Sequence, residues 1–365
     1  MSYFIKATSG FTSIDYKLPI NYREEWESLF LPDNEHVNIK LGVRAIKNAF
    51  VNHFGLVVKN GLLVKGCAPN IGFGSYDHTK YYSHWKKAIE QSVVSKFGSS
   101  IPYISLDSNQ KYLLIHSPWF SYYFWLTECL PRLLSVEEHF EDLVLLYPED
   151  WSNKPFVNES LAMFPQLKRK VIPKDVHLRV KNLVMPEVKP WTPMFIPEHI
   201  KRVREFLFSA LDSKEHVYNS SGDKVYLSRS NAVRRKFDKE DRIEVILRDK
   251  GFKAVQMENL SFFDQVSLMR QTKYMTGLTG AGHINIMFMK PGGGFLDLTN
   301  IKYLNREQYK FHFYKLCNIV NIPYGVSFFE HENKEGLDHY SNQNLILNED
   351  LLTKDINKLL QNDVG

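Results

Sequence analysis

Short apolar runs broken by turn signals dominate residues 40 to 70, in VNIKLGVRAIKNAFVNHFGLVVKNGLLVKGC, where Asn60-Gly61 between two such runs predicts a hairpin turn. YLLIHSP, from residue 112, reads as a buried strand ended by Pro118. WFSYYFWLTECLPRLLSVEEHF follows with apolar residues at helical spacing. DLVLLYPE reads as a second strand, VNESLAMFPQL as a helix and VHLRVKNLVMPE as further strand. KPWTPMFIPEH has three prolines in eleven residues, which suits neither a helix nor a central strand and marks a connection near residue 200.

Beyond that point the alternation is regular. Helix EHIKRVREFLFSAL precedes strand KVYLSRS, helix KEDRIEVILRDKG, strand FKAVQME, helix SFFDQVSLMRQT, strand KYMTGLT, helix HINIMFMK and strand GGFLDLT. Alternating β and α segments of this length predict an α/β fold with a mostly parallel sheet covered by helices. With 365 residues, two domains are expected: residues 1–200 and residues 201–347. NEDLLTKDINKLLQN (348–362) forms an amphipathic helix that could pack back on the first domain.

Composition narrows the class without choosing a function. Hydrophobic residues make up 44% and charged residues 24%, ordinary values for a globular chain with a sizeable core. The formal net charge of +5 is modest and suits an anionic ligand or an acidic surface equally well. Three widely spaced cysteines, Cys67, Cys129 and Cys317, form neither a disulfide framework nor a zinc pattern and point to a reducing cytoplasm. The first residues do not read as a signal peptide, and no stretch approaches the ~18 apolar residues a spanning helix needs, so any membrane contact is expected to be peripheral.

Ligands of parallel α/β sheets gather at the carboxyl ends of the strands, so the loops after YLS, VQM and MTGLT should share one edge. Gly280-Ala281-Gly282-His283 stands between a strand and a helix, where small residues let backbone N–H groups approach a phosphate and the helix terminus adds partial positive charge; tight turn packing is the competing reading. Arg229 and Arg235, in the basic run after Tyr226-Leu227-Ser228, could supply planar forks for diphosphate oxygens, against the alternative of a solvated basic surface. In the third loop Glu258 could accept ribose hydroxyls beside Leu260, while Ser261 resembles a helix N-cap. Upstream, Glu128 lies in the apolar run WLTECLPR, where burial would raise its pKa toward the range of a general base; an ion pair with Arg132, one turn on, is the alternative. His116 is a second candidate base, or a hydrogen-bonded core histidine. No Asp-x-Asp, HExxH or Cys-x-x-Cys occurs, so no metal site and no cofactor is expected.

YLSRSNAVRRKFDKED, VQMENLSFFDQVSLM and TGLTGAGHINIMFMKPGG together resemble the C-terminal signature of glycosyltransferase family 61, and SYYFWLTECLPRL resembles its upstream motif. The resemblance implies a GT-B fold of two Rossmann-like domains facing a cleft, with inverting, metal-independent transfer from a nucleoside diphosphate sugar, UDP-linked, to a glycan or glycolipid acceptor in capsule or lipopolysaccharide assembly. It places Arg229, Arg235, Gly280, Ala281, Gly282 and Asn285 at the donor, and Glu128 at the family's acid before Leu-Pro-Arg; Glu258, Leu260, Ser261, Thr279 and His283 join the donor candidates by their position in the same strand-end loops. Thr279 and Phe124 stand where the family usually has histidine, and Lys239 where it has asparagine. A catalytically silent nucleotide- or sugar-binding relative is the alternative those departures raise. A nucleic-acid binder is disfavoured by Asp238, Glu240 and Asp241 within the basic run, and a dinucleotide oxidoreductase by the missing glycine fingerprint.

Overall fold

The computed structural model describes residues 4–12, 16–30, 37–68, 103–174, 176–189, 195–219, 222–233, 235–301, 312–332 and 344–361. Residues 190–194 of the expected connection and Arg234 of the basic run lie outside these. The chain gathers into two compact units, residues 1–11 with 38–203, and residues 12–37 with 204–365. Both are α/β, as the alternation predicts.

In the first unit, β1 (Phe4–Thr12) pairs with β2 (Val37–Val51), which runs antiparallel to β3 (Val57–Lys59); β4 (Leu62–Leu63) closes the hairpin. The hairpin turn is the predicted one: Asn60 and Gly61 both have positive φ, 53° and 78°, which favours Asn-Gly at this pair of positions. The parallel part consists of β5 (Tyr103–Ser105), β6 (Lys111–Leu114), β7 (Leu143–Pro148), β8 (Lys168–Ile172) and β9 (His177–Pro186), within the order β4-β3-β2-β9-β6-β7-β8, with β5 also on β9. β6 therefore has β7 on one side and β9 on the other. The strand order thus reverses at β6, the topological switch point of this unit.

The helix after β6 is not uniform. Tyr122–Phe124 is α, Trp125–Cys129 is a π turn in which Leu130 N–H reaches Trp125 O, and Leu130–Leu134 is α again. Pro131 supplies the reason: it has no N–H to give to Thr127, and its ring crowds that carbonyl in an unbroken α-helix. Widening the turn by one residue resolves both problems.

The second unit is built on five parallel strands, β10 (Lys224–Leu227), β11 (Lys253–Val255), β12 (Tyr274–Leu278), β13 (Gly294–Thr299) and β14 (Tyr324–Phe328), in the order β11-β10-β12-β13-β14. Numbered within the unit this is 2-1-3-4-5, a doubly wound order whose switch point lies between β10 and β12. β12 and β13 are buried throughout, as parallel strands covered on both faces must be. The connecting helices are Glu240–Asp249 and Phe262–Gln271, and Ser261 caps the latter by accepting from Asp264 N–H at 3.1 Å. The expected HINIMFMK helix is instead a 3-10 helix, Ala281–Phe288, that starts two residues earlier and is buried from His283 onward.

The C-terminal helix Glu349–Gln361 belongs to the second unit rather than the first. Its apolar stripe of Leu352, Ile356 and Leu359, at i, i+4 and i+7, enters the second unit's core with Leu296 and Leu298 of β13. Each such side chain contributes roughly 1.5–3 kcal/mol on burial, which settles where the helix packs. Among the described residues no helix is long and apolar enough to cross a membrane.

Candidate functional site

The switch point of the second unit brings the sequence candidates together. β10 ends at Leu227, and Arg229 follows two residues on; β12 ends at Leu278 and runs into Thr279-Gly280-Ala281-Gly282. A Cβ on Gly280 would stand 3.5 Å from the Arg229 guanidinium, so turn and arginine are neighbours. Gly280 has φ −175°, which any residue adopts; here glycine contributes space beside the guanidinium rather than conformational freedom. Gly277, one residue before the end of β12, is needed for close approach, since a Cβ there would lie 3.0 Å from Leu227 Cβ and 3.3 Å from the His283 ring.

The arginine loop is held by groups the sequence did not single out. Glu240, buried at the start of its helix, accepts from Tyr226 Oη at 2.5 Å, Arg229 N–H at 3.1 Å and Phe237 N–H at 3.2 Å, closing the loop at both ends. Arg235 takes a left-handed backbone, φ 56°, and turns its carbonyl to accept from Arg229 Nε at 2.6 Å. Gln256, after β11, accepts from Asn231 and Asn259 and donates to Ser230, tying the second loop to the third. Burial and the neighbouring Arg235 both push the Arg229 pKa down, with Glu240 and Glu258 opposing them. A half-buried guanidinium destabilised by a neighbouring arginine forms a place where an anion is welcome. Glu258 itself is exposed, on the short 3-10 turn Met257–Asn259, and Ser261 is occupied as the cap.

Two candidates turn inward. His283 is 1% exposed, its ring over Gly277 and packed edge-on against Phe295 and Phe313, and burial first and Arg229 second push its pKa down to about 3. Asn285 is fully buried. Both shape the turn from below rather than meeting solvent. Thr279 donates its hydroxyl to Asp297 and, at 3.3 Å, to Leu298 O.

The first unit's switch point holds the other group. Glu128 is 3% exposed; Ser117, beyond β6, donates to its Oε2 at 3.2 Å, and Oε1 has no hydrogen bond among the described residues. Burial raises the Glu128 pKa, opposed first by Lys189 and then by Arg132 and Ser117. Arg132 does not pair with Glu128. Its guanidinium donates to Pro186 O at 2.8 Å, to Ile115 O, and to Leu114 O at 3.4 Å, stapling the ends of β9 and β6. Lys189, 4% exposed, lies 5.8 Å from the Tyr123 ring centroid and 5.5 Å from that of Phe195, and burial lowers its pKa to about 8. Sequence reading passed over Lys189 because it opens the proline-rich stretch. His116 is a core histidine: its Nε2 lies 3.2 Å from His53 O, its ring packs edge-on against Trp151, and burial pushes its pKa down to about 3.

A doubly wound parallel sheet with arginines and a small-residue turn at its switch point is an arrangement able to receive an anionic ligand. Residues 122–296 match the model of the family glycosyltransferase 61. The match takes in Glu128, Arg229, Arg235 and the Gly280 turn together. No curated protein matches the chain.

Proposed function

We propose that the chain transfers a sugar from a nucleoside diphosphate donor, UDP-linked, to a hydroxyl of a glycan or glycolipid, with inversion and without a divalent metal. The two units act as the halves of a GT-B enzyme, and the setting is the cytoplasmic assembly of a surface polysaccharide such as capsule or lipopolysaccharide. The observation that carries this reading is the meeting of Arg229 with the Gly280 turn at the β10/β12 switch point, inside the segment that matches the family. In the step proposed, Glu128 Oε1 takes the acceptor's proton, the freed oxygen pair attacks the anomeric carbon, and the bond to the diphosphate breaks with its electron pair on the leaving oxygen. Arg229, Arg235 and the N–H groups that open the Ala281–Phe288 helix stabilise that charge.

A ligand that binds only the folded state raises its melting temperature. UDP, GDP and CMP are therefore tested by thermal shift with EDTA present, on wild type and Arg229→Ala. One nucleoside diphosphate should stabilise wild type and not the variant; failure of every nucleotide would remove the donor site. Transfer from the nucleotide sugar so identified should be lost in Glu128→Gln. The near-complete enclosure of Glu128 favours a second reading, a silent binding relative, which predicts the same thermal shift and no turnover in the wild type.

A further inference from the structure

Asp297 lies just beyond the family-matched segment and outside every role assigned above. It sits on β13 directly beside Gly277 of β12, 2% exposed, beneath the turn that carries Gly280. Oδ1 accepts from Thr279, the residue before Gly280, and stands 3.5 Å from His283 Nδ1; Oδ2 accepts from Tyr324 Oη of β14 at 3.2 Å. Gly277 has no side chain, and the His283 ring occupies the space this leaves, next to Asp297. One carboxyl group thus holds the residue before the turn and packs, without a hydrogen bond, against the histidine within it.

Among the described residues none supplies a cation to that carboxylate. Facing it are Thr279 and His283 from the turn, Tyr324 from β14, and Cys317 from the helix His312–Ile319, with Tyr314 of the same helix behind Tyr324. Burial keeps His283 neutral at working pH, with a pKa near 3, so it brings no positive charge. Burial raises the Asp297 pKa to about 7 against the two hydroxyl bonds that lower it. Near neutrality the group carries a proton part of the time, and an anion settling on the turn above makes the charged form less favourable still.

We propose that Asp297 is a positioning residue of the donor turn, acting through Thr279 and His283, and that it takes up a proton when a diphosphate binds. The inference rests on the proposed donor site. Its sign is fixed by linkage: a group protonated more in the complex than in the free protein makes binding tighten as pH falls and weaken as it rises past 7.

Inorganic pyrophosphate is the probe, titrated calorimetrically into the full-length protein at pH 6, 7 and 8, in pairs of buffers with different heats of ionisation. The ligand's own titration is common to all variants, so the difference between wild type and Asp297→Asn isolates this residue. Wild type should take up more protons than Asp297→Asn at pH 7, by up to about one, and its affinity should fall up to about tenfold further between pH 6 and pH 8. Equal proton counts and parallel pH dependence would overturn the proposal. Should Asp297→Asn fail to fold, Thr279→Val removes only the hydroxyl that favours the carboxylate, and the pH midpoint of wild-type binding should move upward; an unmoved midpoint overturns the role of Asp297. Binding that is lost in Arg229→Ala but free of proton linkage refutes this inference alone, whereas absence of any pyrophosphate binding by wild type refutes the donor site with it.

Discussion

Glu240 closes the arginine loop with one carboxylate and three donors, two of which belong to the backbone. Cutting it to alanine would leave Phe237 N–H and Tyr226 Oη facing a void, at a cost of about 3 kcal/mol for the unpaired groups. Glu240→Ala should unfold at correspondingly lower denaturant and lose nucleotide-dependent stabilisation, whereas Glu240→Gln, which still accepts, should keep part of both. Equal thermal shifts in wild type and Glu240→Ala would show that Arg229 needs no clamp. Charge at the other switch point is also testable. Lys189 is the strongest influence holding the Glu128 pKa down against burial, and removing it must push that pKa further up. Activity that needs ionised Glu128 is lost as pH falls through this pKa. The acid limb of the transfer profile should therefore move to higher pH in Lys189→Met and return toward wild type in Lys189→Arg. An unmoved limb would assign it to another group; His116, with a pKa near 3, is a poor alternative in the neutral range.

At the level of elements, the π turn Trp125–Cys129 sets the direction of Glu128 relative to Arg132. Pro131→Ala restores an N–H and removes the ring, so the turn can tighten by one residue and swing Glu128 by about 100° around the helix. Far-UV circular dichroism should stay as in wild type, and because Pro131 is buried the lost ring should cost about 0.5–3 kcal/mol of stability without unfolding the protein. Transfer should fall at least about tenfold, one unit of 1.4 kcal/mol in the barrier. Full activity in a folded Pro131→Ala protein would show that the wide turn has no bearing on the base. The same helix shows what was legible in the sequence. Its apolar spacing and its proline were visible, but the π turn was not, because a proline inside a helical pattern can end, kink or widen the helix and spacing alone does not choose among these. β8 escaped notice for a different reason: Lys168-Arg169-Lys170 is an exposed edge with no alternating apolar face. β14 was missed because its burial depends on pairing with β13 and on Asn21, whose side chain brackets Val326 from about three hundred residues away.

For the whole molecule, residues at strand ends were readable because topology alone brings them to one edge, as with Arg229 and Gly280. Glu240, Lys189 and Asp297 were not, since each owes its role to what packs around it after folding. Their burial makes stability depend on pH differently in the two units. In the first, His116 and His199 have pKa values near 3 and 4, below the roughly 6.5 of an unfolded histidine, so between those limits the unfolded chain binds more protons and stability falls as pH drops. Glu128, with a raised pKa, binds a proton in the folded state and opposes only one of the two. In the second unit His283 pulls the same way, but Asp297, near 7, pulls against it, and the two nearly cancel between about pH 4 and 6.5. The first unit should therefore be the acid-labile one. Its Trp125 and Trp151 are buried, and Trp151 touches the His116 ring. Indole fluorescence should report a urea midpoint that falls between pH 6.5 and 5, and the slope should flatten in His116→Gln, whose side chain does not titrate. A slope unchanged in that variant would mean that His116 is not kept neutral by burial, and would remove the ground for excluding it as the base.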